Sequence, residues 1–242
     1  MYNKTIMKYN FKKFDNKVKT KKDILKLFKL VFGQNLTKKF WQWRFEKNPF
    51  GMPIIRLAYN KTDLIANYLL QPIVINCKKL EINMLYSMTT MTNPNFAGKG
   101  IMTRLANEAY QIGKLKNYSM VYLFANPSSR NLFTKKLKFK EISEISEIII
   151  QTKKIQESNK NSFECKEIFV FNDEFTNFYL SFIKKNPNFI MVPRTKEYLN
   201  WRFIQNKSEK YYCYKIISNG KIVGYIILKN YKNFKLQIID FI

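Results

Sequence analysis

Histidine is absent from all 242 residues. That one absence removes Ser-His-Asp triads, Cys-His dyads, HExxH zinc sites and imidazole bases. Proton transfer must run through carboxylates, Tyr, Ser/Thr, Lys, Cys or the backbone. Cysteine is nearly absent too: Cys77, Cys165 and Cys213 are odd in number and far apart. They fit neither a disulfide framework nor a zinc knuckle, and read as reduced thiols of a cytoplasmic protein. No apolar run reaches about 18 residues, so no membrane span is expected. Residues 1–15 lack the continuous apolar segment of a secretory signal.

Acidic residues are scarce, 17 against 43 basic, for a formal net charge of +26. Such a charge suits a polyanion. Only six of the basic residues are Arg, however, the side chain that reads base edges and clamps phosphates with two bonds. The lysines are spread along the chain among abundant Asn, Ile, Phe and Tyr. This is a bias of the whole surface, and a nucleic-acid partner is not expected.

What is present begins with a repeat. TKKFWQWRFEKN starts at Thr37 and TKEYLNWRFIQN at Thr195, sharing Thr, Lys, Trp, Arg, Phe and Asn in register. Farther on, IANYLL at Ile65 matches IVGYII at Ile222. A helix and the next two strands therefore recur in order. In this unit DILKLFKLVF (Asp23–Phe32) is an amphipathic helix capped by Asp23 and stopped by Gly33, and Thr37 caps a second helix. Strands are expected over 54–59, 64–74 and 80–92, a helix over 101–116, a strand over 120–125, a helix over 128–137 and a strand over 142–152. The polar run KKIQESNKNS (153–162) reads as a linker. Beyond it come a strand over 167–171, a helix over 173–184, a hairpin of 211–217 and 222–228 about Asn219-Gly220, and a strand over 236–242. The expected domains are 1–152 and 163–242.

Chemistry concentrates at TMTNPNFAGKGIMTRL, Thr90–Leu105. A strand ends in proline, an aromatic and Gly-Lys-Gly, and a helix opens. Gly98 and Gly100 let backbone approach a ligand, and the amides from about Ala97 to Met102 face a phosphate with the positive end of the helix. The spacing is neither a Walker loop nor a Rossmann fingerprint.

This stretch resembles motif A of the GNAT superfamily, the acetyl-CoA-dependent N-acetyltransferases, V-x-P-x-(Y/F)-(R/Q)-G-x-G-(I/V)-(G/A). Thr92, Pro94, Phe96, Gly98, Lys99, Gly100 and Ile101 fall on it; Ala97 and Met102 depart from it. Downstream, NPSSRNLFTKKLKF resembles the family's N-x-x-A-x-x-L-Y-x-K-L-G-F, with Asn126, Ser129, Leu132, Phe133, Lys135, Leu137 and Phe139 on those positions. The resemblance covers about 10–152, and the repeat is similar to tandem members whose second half lacks a cofactor loop. It implies an α+β fold, a mixed, mostly antiparallel sheet flanked by helices, with a partial duplicated unit.

The resemblance also implies acetyl-CoA as co-substrate and a small-molecule amine as acceptor. Backbone groups near Met91 and Thr92 would hold the pantetheine arm and polarise the thioester. Ala97, Gly98, Lys99, Gly100, Ile101 and Met102 would hold the pyrophosphate, and Asn126 and Ser129 would flank the arm. Phe133 stands where many members carry the Tyr that protonates the departing thiolate. The acid–base candidates are Tyr86 and Glu81, ahead of Glu46, Asp63 and Glu108. The FWQWRFEKNPFG segment resembles that of tandem proteins of surface-glycan assembly, which points to an amino sugar. The competing expectation is a non-catalytic relative that binds a polyanion.

Overall fold

The computed structural model describes residues 9–78, 80–144, 163–231 and 235–242. The expected linker 153–162 and all but the first residues of the strand expected over 142–152 lie outside them; Ile142–Glu144 have no regular structure. The chain divides into two compact units, one of residues up to Phe139 with Asn188–Val192, the other of Lys140–Pro187 and Pro193–Ile242.

The first unit runs β1 (Asn10–Lys13), α1 (Val18–Phe32), α2 (Lys38–Trp41), β2 (Ile54–Asn60), β3 (Asp63–Cys77), β4 (Leu80–Thr92), α3 (Ile101–Leu115), β5 (Met120–Tyr122) and α4 (Pro127–Asn131). Its sheet has the order β1-β2-β3-β4-β5. Every pairing is antiparallel except β4–β5, which is parallel and joined through α3. Segment 188–192 adds one antiparallel bridge, Met191 to Asn76.

Alternating apolar residues on β2–β4 give the sheet two buried faces. On one, Ile101, Leu105, Ala106 and Ala109 of α3 pack against Ala58, Tyr68, Leu70 and Leu85. On the other, Ile24 and Leu27 of α1, with Trp41 and Phe45, pack against Ile55, Leu57, Leu69 and Met91.

Helix α1 starts earlier than the sequence suggests. Its cap is Lys17, and Asp15 Oδ1 accepts from Thr20 Oγ1 (2.6 Å) and the Lys17 N–H (3.1 Å). Asp23 is therefore inside the helix, where it accepts a bond from Tyr59 OH at 3.3 Å. Burial and then Asp23 push the Tyr59 hydroxyl up to about 12. Gly33 ends α1 in the left-handed conformation, φ 68°, as expected.

The second unit runs β6 (Glu164–Glu167), α5 (Asp173–Lys185), α6 (Lys196–Leu199), β7 (Tyr211–Ser218), β8 (Lys221–Tyr231) and β9 (Lys235–Phe241), in an all-antiparallel sheet of order β6-β7-β8-β9. Its elements follow the order of β1 to β4. The correspondence reaches individual residues. Thr37 and Thr195 each accept from the N–H three residues on, at 3.1 and 3.4 Å. Trp43 and Trp201, Phe45 and Phe203, Asn48 and Asn206 are all buried. A register shift after Ala58 in β2 has its counterpart after Ile216 in β7. Among the described residues no helix is long and apolar enough to cross a membrane.

Helices α2, α4 and α6 each run on into a π-helical turn: Gln42–Glu46, Leu132–Lys136 and Asn200–Ile204. Each turn ends with an N–H bonded to the carbonyl five residues back, Lys47 to Gln42, Leu137 to Leu132 and Gln205 to Asn200. Such a turn holds one residue more than an α-turn. The repeated Trp-Arg-Phe is this turn. It seats Trp and Phe inward.

Candidate functional site

Two loops leave the carboxyl ends of neighbouring parallel strands, the place where open sheets form ligand crevices. The first follows β4. Asn93 bonds back to Ile65 O (2.7 Å) and its Oδ1 accepts from the Asn95 N–H (3.1 Å), starting a 3-10 turn at Pro94–Phe96. Gly98 and Gly100 follow with φ of 73° and 74°, a region in which side chains are rare. No atom lies within 4 Å of where a Cβ would stand at either glycine. Gly100 is the N-cap of the 15-residue α3 and brings no side-chain cap. The first amides of the helix, Ile101 to Thr103, therefore have neither an intrahelical acceptor nor a capping oxygen. An anion is what that end of a helix accommodates.

Ala97, Gly98, Lys99 and Gly100 are exposed, Ile101 is buried against the sheet and Met102 half-buried. Lys99 Nζ stands 4.9 Å from the Phe96 ring centroid, on the outside of the loop. Thr92 is half-buried and pairs with Ala66, whereas the Met91 side chain faces the core. Only the backbone of Met91 is suited to a ligand.

The second loop follows β5. Asn126 caps α4 with Oδ1, which accepts from the Ser129 N–H (2.9 Å) and Ser128 Oγ (2.8 Å). Ser129 Oγ donates to Asn126 O at 3.2 Å. Parallel pairing of β4 with β5 covers Met84–Tyr86 against Met120–Tyr122, and β4 then runs on to Thr92. The two strands thus share a paired root and part beyond Tyr86 and Tyr122.

Along this stretch β4 is irregular. Asn67 pairs with Met91 and Leu69 with Met88, so Thr89 and Thr90 stand against Tyr68 alone. Thr89 carries the extra turn at φ 51°. Asn67, fully buried, donates from Nδ2 to Thr89 O at 3.2 Å.

Tyr86 occupies the last parallel pair and stacks on Tyr122, ring centroids 5.1 Å apart. It shares a face with Gln71, its partner across β3, on the side covered by α2. There Gln71 Nε2 donates to Arg44 O (2.9 Å) and Arg44 Nη2 to Met88 Sδ (3.5 Å). Glu81 is not brought to the site. It is exposed at the opposite end of β4, paired with Asn76 and about 33 Å of strand from Met91. No bulge separates it from Tyr86, so the two face opposite sides.

The other carboxylates are engaged elsewhere. Glu46 accepts from Trp41 Nε1 (3.0 Å) and pairs with Lys21 (2.7 Å). Glu108 takes Arg56 and Arg104 together. Burial alone raises its carboxyl, but the hydrogen bonds from Arg56 and Arg104 outweigh that and hold it below the ordinary value. Asp63 is exposed in the β2–β3 turn.

Phe133 is buried in the core under α3, edge-on to Phe139 at 5.5 Å. The stretch is one residue longer than the pattern N-x-x-A-x-x-L-Y-x-K-L-G-F, so Leu137 and Phe139 stand one place beyond it. The π-turn Leu132–Lys136 absorbs the insertion. Lys138 then takes the place of the pattern's glycine, with φ 60°.

Three features escaped the sequence: the Thr89 bulge, the buried Asn67 that holds it, and a chain of hydroxyls, Ser87, Tyr68 and Tyr110. Ser87 Oγ lies 2.9 Å from Tyr68 OH, which lies 2.6 Å from Tyr110 OH. All depend on partners across strands and carry no local signal.

A model of the acetyltransferase (GNAT) domain matches residues 17–137, half of the chain. Among curated proteins none matches the sequence. Solved structures of similar fold include an Enterococcus faecalis protein described as a probable N-acyltransferase, at TM-score 0.66 and 17% identity over 97% of this chain and 58% of that one. A GCN5-related N-acetyltransferase from Anabaena variabilis gives 0.66 and 14%, covering 96% and 58%. Saccharomyces cerevisiae N-myristoyltransferase with bound myristoyl-CoA gives 0.56 and 12%, covering 96% and 65%. At such identities the likeness is one of fold, and the chain spans 58% of the length of the first two. The domain match shows more than fold: the chain belongs to the GNAT acetyltransferase family.

Proposed function

We propose that the protein transfers an acyl group, acetyl in the first instance, from acyl-CoA to a primary amine. The observation that carries this is the pair of loops at the parted ends of β4 and β5, one of them an uncapped helix start behind two left-handed glycines. The pyrophosphate binds the amides of Gly98 to Met102. The pantetheine arm lies between the parted strands beside Thr92, with Asn126 and Ser129 along it. The amine approaches on the Tyr86 side, loses a proton to water that the Tyr86 hydroxyl orients, and attacks the thioester; the C–N bond forms as C–S breaks. An amino sugar is the favoured acceptor, because the FWQWRFEKNPFG segment resembles that of glycan-assembly proteins.

The leaving sulfur needs a donor that Phe133 cannot supply. Ser87 follows the last β4–β5 pair and is only 5% exposed, and its hydroxyl chain lies in the same core cluster as Phe133. Burial raises both tyrosines, so they stay protonated. Three hydroxyls joined by two bonds leave one proton over. Ser87 Oγ donates to Tyr68 OH as the chain stands; reversal of that bond, with Tyr110 donating to Tyr68 and Tyr68 to Ser87, frees the Ser87 proton for the departing sulfur. Ser87→Ala is expected to lower kcat about 10- to 100-fold, one hydrogen bond to a charged group, with acyl-CoA affinity unchanged.

Calorimetry with acetyl-CoA and myristoyl-CoA tests the reading and its acyl length, followed by an amine screen led by amino sugars. Polyanion binding is favoured instead by a cleft of about 280 Å³ whose lining holds five lysines, Lys12, Lys13, Lys17, Lys19 and Lys61, against two carboxylates, Asp15 and Asp23. Binding of heparin without binding of either acyl-CoA would replace the first reading with the second.

A further inference from the structure

The bulge in β4 needs an explanation that threonine does not provide. A β-branched residue at φ 51° is strained, and the conformation persists only where its surroundings impose it. The Asn67 amide is what imposes it here. Its Nδ2 donates to Thr89 O at 3.2 Å from a fully buried position on β3, while its Oδ1 has no partner and is buried as well. Burying an amide with half of its bonding unmet is costly beside the fully buried Ala66, Tyr68 and Leu69, so packing alone does not account for an asparagine at this position.

The consequence follows from one peptide plane. In a trans peptide the C=O and the next N–H point in opposite directions. Asn67 draws Thr89 C=O toward β3, and the Thr90 N–H on the same plane is thereby turned away from β3. That is the edge of β4 from which β5 has parted, since pairing stops at Tyr86–Tyr122. An N–H held there by a buried anchor is a preorganised donor for an oxygen that gains negative charge between the strands.

We infer that Asn67 is a positioning residue that fixes the Thr89–Thr90 peptide so that the Thr90 N–H bonds the thioester carbonyl of bound acyl-CoA. The inference rests on the acyl-CoA reading above. It assigns the polarising group to one amide, the Thr90 N–H beside Met91 and Thr92, and assigns to Asn67 the task of holding it. Asn67 touches neither the amine nor the acyl-CoA; it acts through the peptide it holds.

The test uses Asn67→Leu, which keeps the size and removes the donor, and Asn67→Asp, which keeps the shape and replaces the donor with an acceptor. Both are compared with the wild type by calorimetry with acetyl-CoA and by isotope-edited infrared spectroscopy of acetyl-CoA labelled with 13C at the carbonyl, a readout that needs no acceptor amine. The wild type is expected to bind acetyl-CoA and to lower the carbonyl stretching frequency relative to free acetyl-CoA. Both variants are expected to bind within about threefold of the wild type and to return the frequency to the free value. With an accepted amine, kcat should fall about 100-fold at unchanged KM for acetyl-CoA, the usual effect of losing one such donor. A carbonyl shift that survives Asn67→Leu overturns the inference while leaving the acyl-CoA reading intact. Loss of acetyl-CoA binding in both variants, with a fall in melting temperature, makes Asn67 merely structural and overturns it too. A wild type that binds no acyl-CoA overturns the underlying reading and the inference with it.

Discussion

Gly100→Asp is expected to abolish acyl-CoA binding while leaving the protein folded. Gly100 sits at φ 74°, and aspartate is among the few residues that accept that region. A Cβ there meets no atom within 4 Å, so nothing must move to admit it. The position is the N-cap of α3, where a carboxylate is favourable in its own right because it bonds the open amides and complements the helix dipole. That benefit is what excludes the ligand. The new carboxylate takes the amides of the first turn and sets a like charge against the pyrophosphate, a cost of several kcal/mol. Calorimetry should show affinity for acetyl-CoA weakened at least about 100-fold, and the melting temperature should hold or rise. Gly100→Ala separates the two causes. It meets the same backbone strain without the charge, so it should lose stability and keep most of its binding. Unchanged acetyl-CoA affinity in Gly100→Asp would remove the α3 amides from the site.

Sequence reading succeeded where chemistry is local. Asn219-Gly220 dictated a tight hairpin, and their φ values are 49° and 72°. The β4 strand, the Gly-Lys-Gly loop and helix α3 were readable because alternation, proline and glycine punctuate them within a few residues. The repeat was readable because Thr, Trp, Phe and Asn recur at fixed spacing, and in the structure they cap, fill and turn the same π-helical element twice. Strand β1, Asn10–Lys13, has one apolar residue in four and exists only because β2 offers it an edge. The start of α1 was missed because Asp15 organises it from outside the helix. The bulge at Thr89 was invisible for a similar reason. Its cause is Asn67, 22 residues away on another strand. The π-turn in α4 hid an inserted residue, which slid Leu137 and Phe139 out of register with the family pattern.

The same long-range dependence makes Asp240→Ala the second large effect, this time on stability. Asp240 is 9% exposed on β9 and accepts both Arg194 Nε (2.8 Å) and Nη2 (2.9 Å), with Tyr225 OH donating at 3.2 Å. Burial disfavours the Arg194 charge, but Asp240 outweighs it and raises the guanidinium well above its ordinary value. Burial and then Asp240 raise Tyr225 as well. Removing the carboxylate leaves a guanidinium and a phenol in a largely buried site, the Arg194 side chain being 16% exposed, and breaking a buried pair from one side costs about 3–5 kcal/mol. Hydrogen exchange should then show β7, β8 and β9 losing protection together, while β2, β3 and β4 keep theirs. Replacing both partners, Arg194→Met with Asp240→Leu, should restore most of the loss, because no uncompensated charge remains. The first unit supplies the contrast. Tyr68, the counterpart of Tyr225, bonds the neutral Ser87 instead of a carboxylate. Ser87→Ala should therefore cost the first unit only about 1–3 kcal/mol, the price of one unmet hydroxyl. Equal losses from Ser87→Ala and Asp240→Ala would mean that the ion pair adds nothing beyond the hydrogen bond that the two units share.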